Sequence, residues 1–233
     1  MSIPVIIAIR LGSTRLPRKA ILPFLNGSNM LDEIIKRIRS SAFVGEICIA
    51  TTKNVEDNEL ELYCKDHDLR CFRGSEQNVA ERLYQAAKFL NADFFYEVLG
   101  DNPLIDPLFF QLLYEVHRNN PKMKYASINT REYKFNSNTE FPVGIRVQLL
   151  KTSQLMVVLS IESDYFREHA TSYFYDKIDQ KEYVLIENTG LKDCGQFNLA
   201  VNTLDDFYLI GSVLNESINF RWENSLELYK LLK

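Results

Sequence analysis

Residues 10–19 read Arg10-Leu11-Gly12-Ser13-Thr14-Arg15-Leu16-Pro17-Arg18-Lys19. Arg10, Arg15, Arg18 and Lys19 crowd one short stretch, although the chain as a whole carries a formal net charge of −4. Such a loop needs water or a counter-charge, and in an acidic chain it points to a polyanionic ligand. Gly12 allows close approach of the backbone, and Ser13 and Thr14 add hydroxyl donors. A solvated basic turn is the plainer alternative. The loop is neither of the two common phosphate motifs. A Walker loop needs a second glycine and a Lys-Ser/Thr pair, and a dinucleotide fingerprint needs three glycines. Charge must therefore do here what stacked amides do there. Pro17 lacks an amide hydrogen and argues against a helix N-terminus. Lys19 reads as an exposed cation.

Other stretches carry chemistry of the same kind. Arg73-Gly74-Ser75 follows an apolar run, with Ser75 placed to cap a helix and Arg82 between that helix's apolar positions. Arg82 either points along a cleft or pairs with a surface carboxylate such as Glu76 or Glu81. Gly100-Asp101-Asn102-Pro103-Leu104-Ile105-Asp106-Pro107 follows another apolar run. Asp101, facing a basic phosphate loop, suits a divalent metal, since magnesium prefers a few carboxylates plus substrate phosphates. A turn-forming aspartate is the alternative. Asp106 reads as a cap for a helix starting at Leu108. In Arg167-Glu168-His169-Ala170-Thr171, the side chains of Arg167, His169 and Thr171 can reach a substrate. His67 and His117 read as helical and exposed, leaving His169 as the candidate functional histidine. No Ser, Cys and His arrangement suggests a covalent nucleophile.

The elements that must hold these residues alternate in type. Val5–Ile9, Glu46–Ala50, Leu69–Phe72 and Phe94–Leu99 read as buried strands. Helices are expected around Leu31–Ile38, over Asn58–Asp66, and over Val79–Leu90. Strand, helix, strand implies a parallel sheet with right-handed crossovers, and puts the basic loop, Arg73–Ser75 and Asp101 on its C-terminal edge. Beyond that, Tyr125–Asn129 reads as a strand, 130–141 as a polar loop, and Phe141–Gln148 as a second strand. Residues 125–150 thus form a hairpin insertion that covers the site or makes a subunit contact. Arg167–Phe174 reads as helical, Phe197–Val201 as a late strand, Thr203 as a helix cap, and the remainder as one or two helices.

Length and composition set outer limits. The chain has 233 residues, 46% hydrophobic and 25% charged, as expected of one α/β domain covering 1–233. Its acidity argues against nucleic acid as a partner. No apolar run is long enough to span a bilayer, and the chain enters a strand without a leader-like segment. A cytoplasmic protein without membrane partners is the expectation. Cys48, Cys64, Cys71 and Cys194 lack metal-ligand spacing and read as reduced thiols.

The ordered set of these stretches resembles the cytidylyltransferases that activate acidic sugars, the CMP-Kdo and CMP-sialic acid synthetases. It is most similar to the branch related to spore coat polysaccharide biosynthesis protein F. The resemblance spans nearly the whole chain. It implies an α/β, Rossmann-like (GT-A-like) nucleotidyltransferase fold, a mainly parallel sheet flanked by helices with a small β-hairpin insertion. It also implies CTP as donor, Mg2+ as cofactor, pyrophosphate as leaving group and an acidic sugar as acceptor. By that resemblance Arg10, Leu11, Gly12, Ser13, Arg15 and Lys19 hold the triphosphate. Arg73, Gly74, Ser75 and Arg82 lie along the nucleotide, where backbone groups read cytosine. Arg10, Lys19 and Asp101 are the catalytic set. Gly144, Arg167, Glu168 and His169 face the acceptor. A homodimer built through the central hairpin is implied as well. Where relatives carry a second metal-binding aspartate, this chain has Asn202, and Glu97 stands where relatives often have arginine. Asn202 leaves open a site completed by substrate oxygens, a shift to Asp205, or a non-catalytic nucleotide-binding homologue. Within the same chemistry, a phosphorylated or phosphonate-bearing acceptor is the alternative. The missing glycine fingerprint speaks against a nicotinamide-dependent oxidoreductase.

Overall fold

The first strand, β1 (Ile3–Ala8), is apolar on both faces because it runs through the interior of a seven-stranded sheet. The computed structural model describes residues 2–24, 26–131, 139–177, 181–217 and 219–233. After β1 come α1 (Met30–Arg39), β2 (Val44–Thr52), α2 (Asn58–Asp66), β3 (Arg70–Gly74), α3 (Val79–Phe89), β4 (Phe94–Leu99) and α4 (Leu108–Asn119). The second half adds β5 (Tyr125–Ile128), β6 (Val147–Lys151), α5 (Ser153–Leu159), α6 (Asp164–Glu168), β7 (Tyr183–Ile186), α7 (Leu204–Glu216) and α8 (Trp222–Leu232). The sheet order is β3-β2-β1-β4-β6-β5-β7. All neighbouring pairs are parallel except those that β6 makes with β4 and β5.

This order creates one switch point. From β1 the chain winds outward through β2 and β3, then returns to lay β4 on the other side of β1. The crevice beyond the carboxyl ends of β1 and β4 is where open α/β sheets bind ligands. Alternating residues feed two cores. Val5 and Ile7 join α1, α4, α7 and α8 on one face, and Ile6 joins α3, α5 and α6 on the other. The helix α1 shows why local sequence suffices there. Its Leu31, Ile34 and Ile38 form a buried stripe, and Asn29 and Asp32 make a reciprocal capping box, a feature that contributes about 1 kcal/mol.

Several expectations are corrected in detail. Residues 125–150 do not stand off the sheet as a covering hairpin, because β5 and β6 pair into its interior between β4 and β7. The second of these strands begins only at Val147. The segment before it bends at Gly144, whose φ of +92° suits glycine alone. Part of the expected loop, 132–138, lies outside the described residues. Phe197–Val201 is extended but joins no strand ladder. It bonds to Val143 by the Leu199 and Phe197 backbone and makes one bridge at Asn198. The helix expected over Arg167–Phe174 is two pieces, α6 and a 3₁₀ segment Ala170–Lys177. Asn78, not Ser75, caps α3, and Ser75 instead accepts the Asn78 amide. His117 is half-buried against Phe94, and burial lowers its pKa. The Asp106 and Thr203 caps are as expected: Asp106 accepts the Leu108 amide, and Thr203 forms a capping box with Asp206.

Candidate active site

The basic loop is strung around the backbone of one residue, Leu11. Leu11 is buried, and its carbonyl accepts the amides of both Ser13 and Arg18. Its own N–H donates to Asp57 Oδ1 at 2.8 Å. Asp57 is fully buried and accepts from the Thr52 amide and hydroxyl with its other oxygen. A carboxylate in the turn between β2 and α2 thus pins the loop that leaves β1. Beside it, Glu59 binds Arg18 through a two-bond fork. Arg18 therefore faces α2, where the exposed pair is worth little to stability.

The remaining cations turn inward. Arg10 Nη1 lies 3.1 Å from Glu76 Oε1. Arg15 Nη2 donates to Asn202 Oδ1 at 2.8 Å. Lys19 Nζ donates to the Val201 carbonyl at 2.6 Å and sits 3.6 Å from Asp101. Contrary to expectation, Lys19 is largely buried: only 14% of its side chain is exposed. Desolvation lowers its pKa, and Asp101 partly offsets the effect. Asp101 is itself joined to the late segment, its carbonyl accepting the Val201 amide. The loops after β1, after β4 and before α7 therefore meet at one point.

Two connected compartments open there. The smaller, about 340 Å³, is walled by Arg10, Ser13, Arg15, Lys19 and Asp101, with Glu168 at its border. The larger, about 760 Å³, is walled by Ser75, Glu76, Arg82, Arg167, Glu168 and His169 among others. Ala8, Ile9 and Leu99 form a floor common to both, and Arg10 and Glu168 belong to both walls. The cleft thus sits on the switch point between β1 and β4.

Other expected site residues stand elsewhere. Arg73 donates to the Thr52 and Asn54 carbonyls and to Asn58 and Glu61, bracing the β2–α2 turn away from either compartment. Gly74 ends β3 beneath Arg82 and walls neither compartment. Arg82 is 4% exposed and donates to the Ser75 and Glu76 carbonyls, shaping that turn. Its burial and the nearby Arg10 lower its pKa. Gly144 is buried against the Leu199–Ala200 backbone, where a Cβ would come within 2.1 Å of the Ala200 nitrogen. Its role is to let two chain segments touch. Asp57 and Asp164 are neighbours of the cleft residues that sequence reasoning missed, and Glu76, expected beside Arg82, pairs with Arg10 instead. Asp57 stands in a polar run whose local pattern does not set it apart from Glu56.

The donors fit a metal only in part. Asp101 offers a carboxylate to the smaller compartment, whereas the Asn202 amide oxygen is taken by a guanidinium. No cluster of three or more potential metal ligands exists among the described residues.

A phosphate-suited basic loop, a carboxylate opposite it and a roomier second compartment, all at this switch point, define a nucleotidyltransferase. The family model described as Cytidylyltransferase matches residues 4–203. Over 218 residues the chain is 27% identical to the spore coat polysaccharide biosynthesis protein SpsF of Bacillus subtilis (strain 168), covering 91% of this chain and 86% of that protein. A cytidylyltransferase structure from Leptospira borgpetersenii serovar Hardjo-bovis (strain JB197) matches at TM-score 0.86 and 26% identity, over 99% of this chain and 94% of that one. CMP:2-keto-3-deoxy-manno-octonic acid synthetase, solved with CTP, shares the fold at TM-score 0.62 and 18% identity, over 93% and 99% of the chains. The chain belongs to the cytidylyltransferase family, as a CTP-dependent nucleotidyltransferase. Among the described residues, no helix is long and apolar enough to cross a membrane.

Proposed function

We propose that the protein transfers CMP from CTP to an acidic sugar, releasing pyrophosphate, in the biosynthesis of a surface polysaccharide or related glycan. The observation that carries this reading is the junction of a small cationic compartment with a larger, mixed-charge one at the sheet's switch point. The relatives' names, a spore coat polysaccharide protein and a CMP-sugar-acid synthetase, point the same way.

In this reading Arg15, Lys19 and Ser13 bind the triphosphate, and Arg10 meets the α-phosphate after leaving Glu76. The turn braced by Arg82 presents backbone groups to cytosine. Arg167 and His169 face the acceptor's carboxylate in the larger compartment; Arg167 first gives up its 2.9 Å pair with Asp164. An acceptor oxygen attacks the α-phosphorus, and the bond to the pyrophosphate oxygen breaks. Positioning and preorganised charge supply most of the rate, each phosphate contact contributing roughly 2.7–4 kcal/mol. Asp101 would hold Mg2+ brought in with the nucleotide, and the ion would neutralise charge on the phosphates. Asn202 positions Arg15 in this scheme. We take the working unit to be a cytoplasmic homodimer.

The test is a pyrophosphate-release screen of CTP, UTP, ATP and GTP against a panel of acidic sugars that includes 3-deoxy-manno-octulosonate. CTP with one sugar acid should give turnover. A preference for a purine triphosphate would reject the assignment.

A further inference from the structure

Four carboxylates wall the cleft among the described residues: Glu76, Asp101, Asp164 and Glu168. Three of them are matched to cations: Glu76 lies 3.1 Å from Arg10, Asp101 3.6 Å from Lys19, and Asp164 2.9 Å from Arg167. Among the described residues the Glu168 carboxylate has neither an ion pair nor a hydrogen-bond partner, even though Arg167 precedes it and His169 follows it. It is also the one carboxylate that belongs to both walls.

Glu168 is exposed, so water solvates its carboxylate in the open cleft, and its role is decided once substrates displace that water. Beside a triphosphate the carboxylate repels the substrate, so in a merely structural role it would be a liability. The border between the compartments is where an acceptor oxygen must meet the α-phosphorus. An attacking hydroxyl has to shed a proton as its bond to phosphorus forms, and a free carboxylate at that border can accept it. The other three carboxylates each lie beside a cation and each wall only one compartment.

We propose that Glu168 is the general base of the transfer. This rests on the functional reading above. The acceptor hydroxyl oxygen forms a bond to the α-phosphorus, its proton passes to a Glu168 carboxylate oxygen, and the bond from the α-phosphorus to the bridging oxygen breaks. Pyrophosphate leaves with that electron pair, and Glu168 later returns its proton to water. The position of α6 serves this role. Ser163 caps the helix by accepting the Phe166 amide, and its last residue, Glu168, is carried to the rim of the smaller compartment.

The experiment compares wild type with Glu168→Gln and Glu168→Ala. CTP affinity is measured by calorimetry with magnesium present, and turnover by pyrophosphate release with the sugar acids of the panel. Glu168→Gln should bind CTP as tightly as wild type, or slightly more tightly, while kcat falls about 10²–10⁴-fold. Added acetate should restore part of the turnover of Glu168→Ala in proportion to its concentration. If no panel acid reacts, slow pyrophosphate release with water as acceptor is compared instead, because water must lose a proton at the same point. A kcat for Glu168→Gln within about tenfold of wild type would overturn the assignment, as would acetate-independent Glu168→Ala. A wild type that binds no CTP, or releases no pyrophosphate to any nucleophile, would overturn the functional reading itself.

Discussion

Replacing Asp57 by asparagine tests whether a buried carboxylate outside the cleft sets the geometry of the phosphate loop. Asp57 Oδ1 serves the Leu11 amide and Oδ2 serves Thr52. Asparagine keeps one acceptor oxygen. If that oxygen stays on Thr52, the side-chain NH2 faces the Leu11 N–H and leaves a buried donor unpaired. Such a donor costs about 1–3 kcal/mol, which for a chain of this size lowers Tm by about 2–4 °C per kcal/mol. The same substitution loosens Leu11, whose carbonyl holds the Ser13 and Arg18 amides. The loop cations then lose their alignment, and CTP affinity should weaken about tenfold, equivalent to about 1.4 kcal/mol. Thr52→Val is the control, because it removes a bond on the far oxygen and leaves Leu11 pinned. It should lower Tm while leaving CTP affinity within about twofold, well under 1 kcal/mol. Thermal denaturation and calorimetric CTP titration of the three proteins decide the matter. Wild-type CTP affinity in Asp57→Asn, or equal losses in both variants, would refute the idea that Asp57 acts through Leu11.

Lys19→Ala should reduce turnover about 10²–10³-fold in the pyrophosphate assay, since its ammonium is preorganised and largely desolvated; a loss below tenfold would displace it from the catalytic set. Asn202→Asp should convert the Arg15 hydrogen bond into an ion pair, so that triphosphate binds more weakly without magnesium and more tightly with it, read by titration in both conditions. Gly144→Ala should destabilise the fold, with about 1–3 kcal/mol from the backbone conformation alone and more from contact with Ala200, seen as a lower Tm. Burial pushes the Glu97 carboxyl from 4.5 up to about 7, against the pull of Arg146. The folded state therefore binds the extra proton, so this contribution to stability is full below pH about 4.5 and is lost as pH rises through about 7. Urea denaturation across that range should show the decline, and Glu97→Gln should flatten it.

Much of this architecture was legible from the residues. Elements whose apolar period matches their burial, such as β1, α1, α2 and β4, lie within a residue or two of their sequence expectation, because local pattern and tertiary environment agree. The basic loop and Asp101 could be placed on one sheet edge because strand–helix alternation forces parallel strands to end there. Their resemblance to a known family named the donor nucleotide. Which side chains face the cleft was another matter. Arg73, Arg82 and Gly144 have residue types that suit a ligand, but Arg73 and Gly144 serve segments distant in sequence and Arg82 serves the turn just before its own helix, and residue type does not distinguish these uses from ligand binding. The same holds for Asp57, separated from Leu11 by 46 residues. The pairing of β5 and β6 into the sheet is likewise a long-range choice. Sequence alone determined the strands and the charge they carry to one edge. Only the tertiary structure decided which of those charges are matched, and among the described residues it left Glu168 without a partner where the two compartments meet.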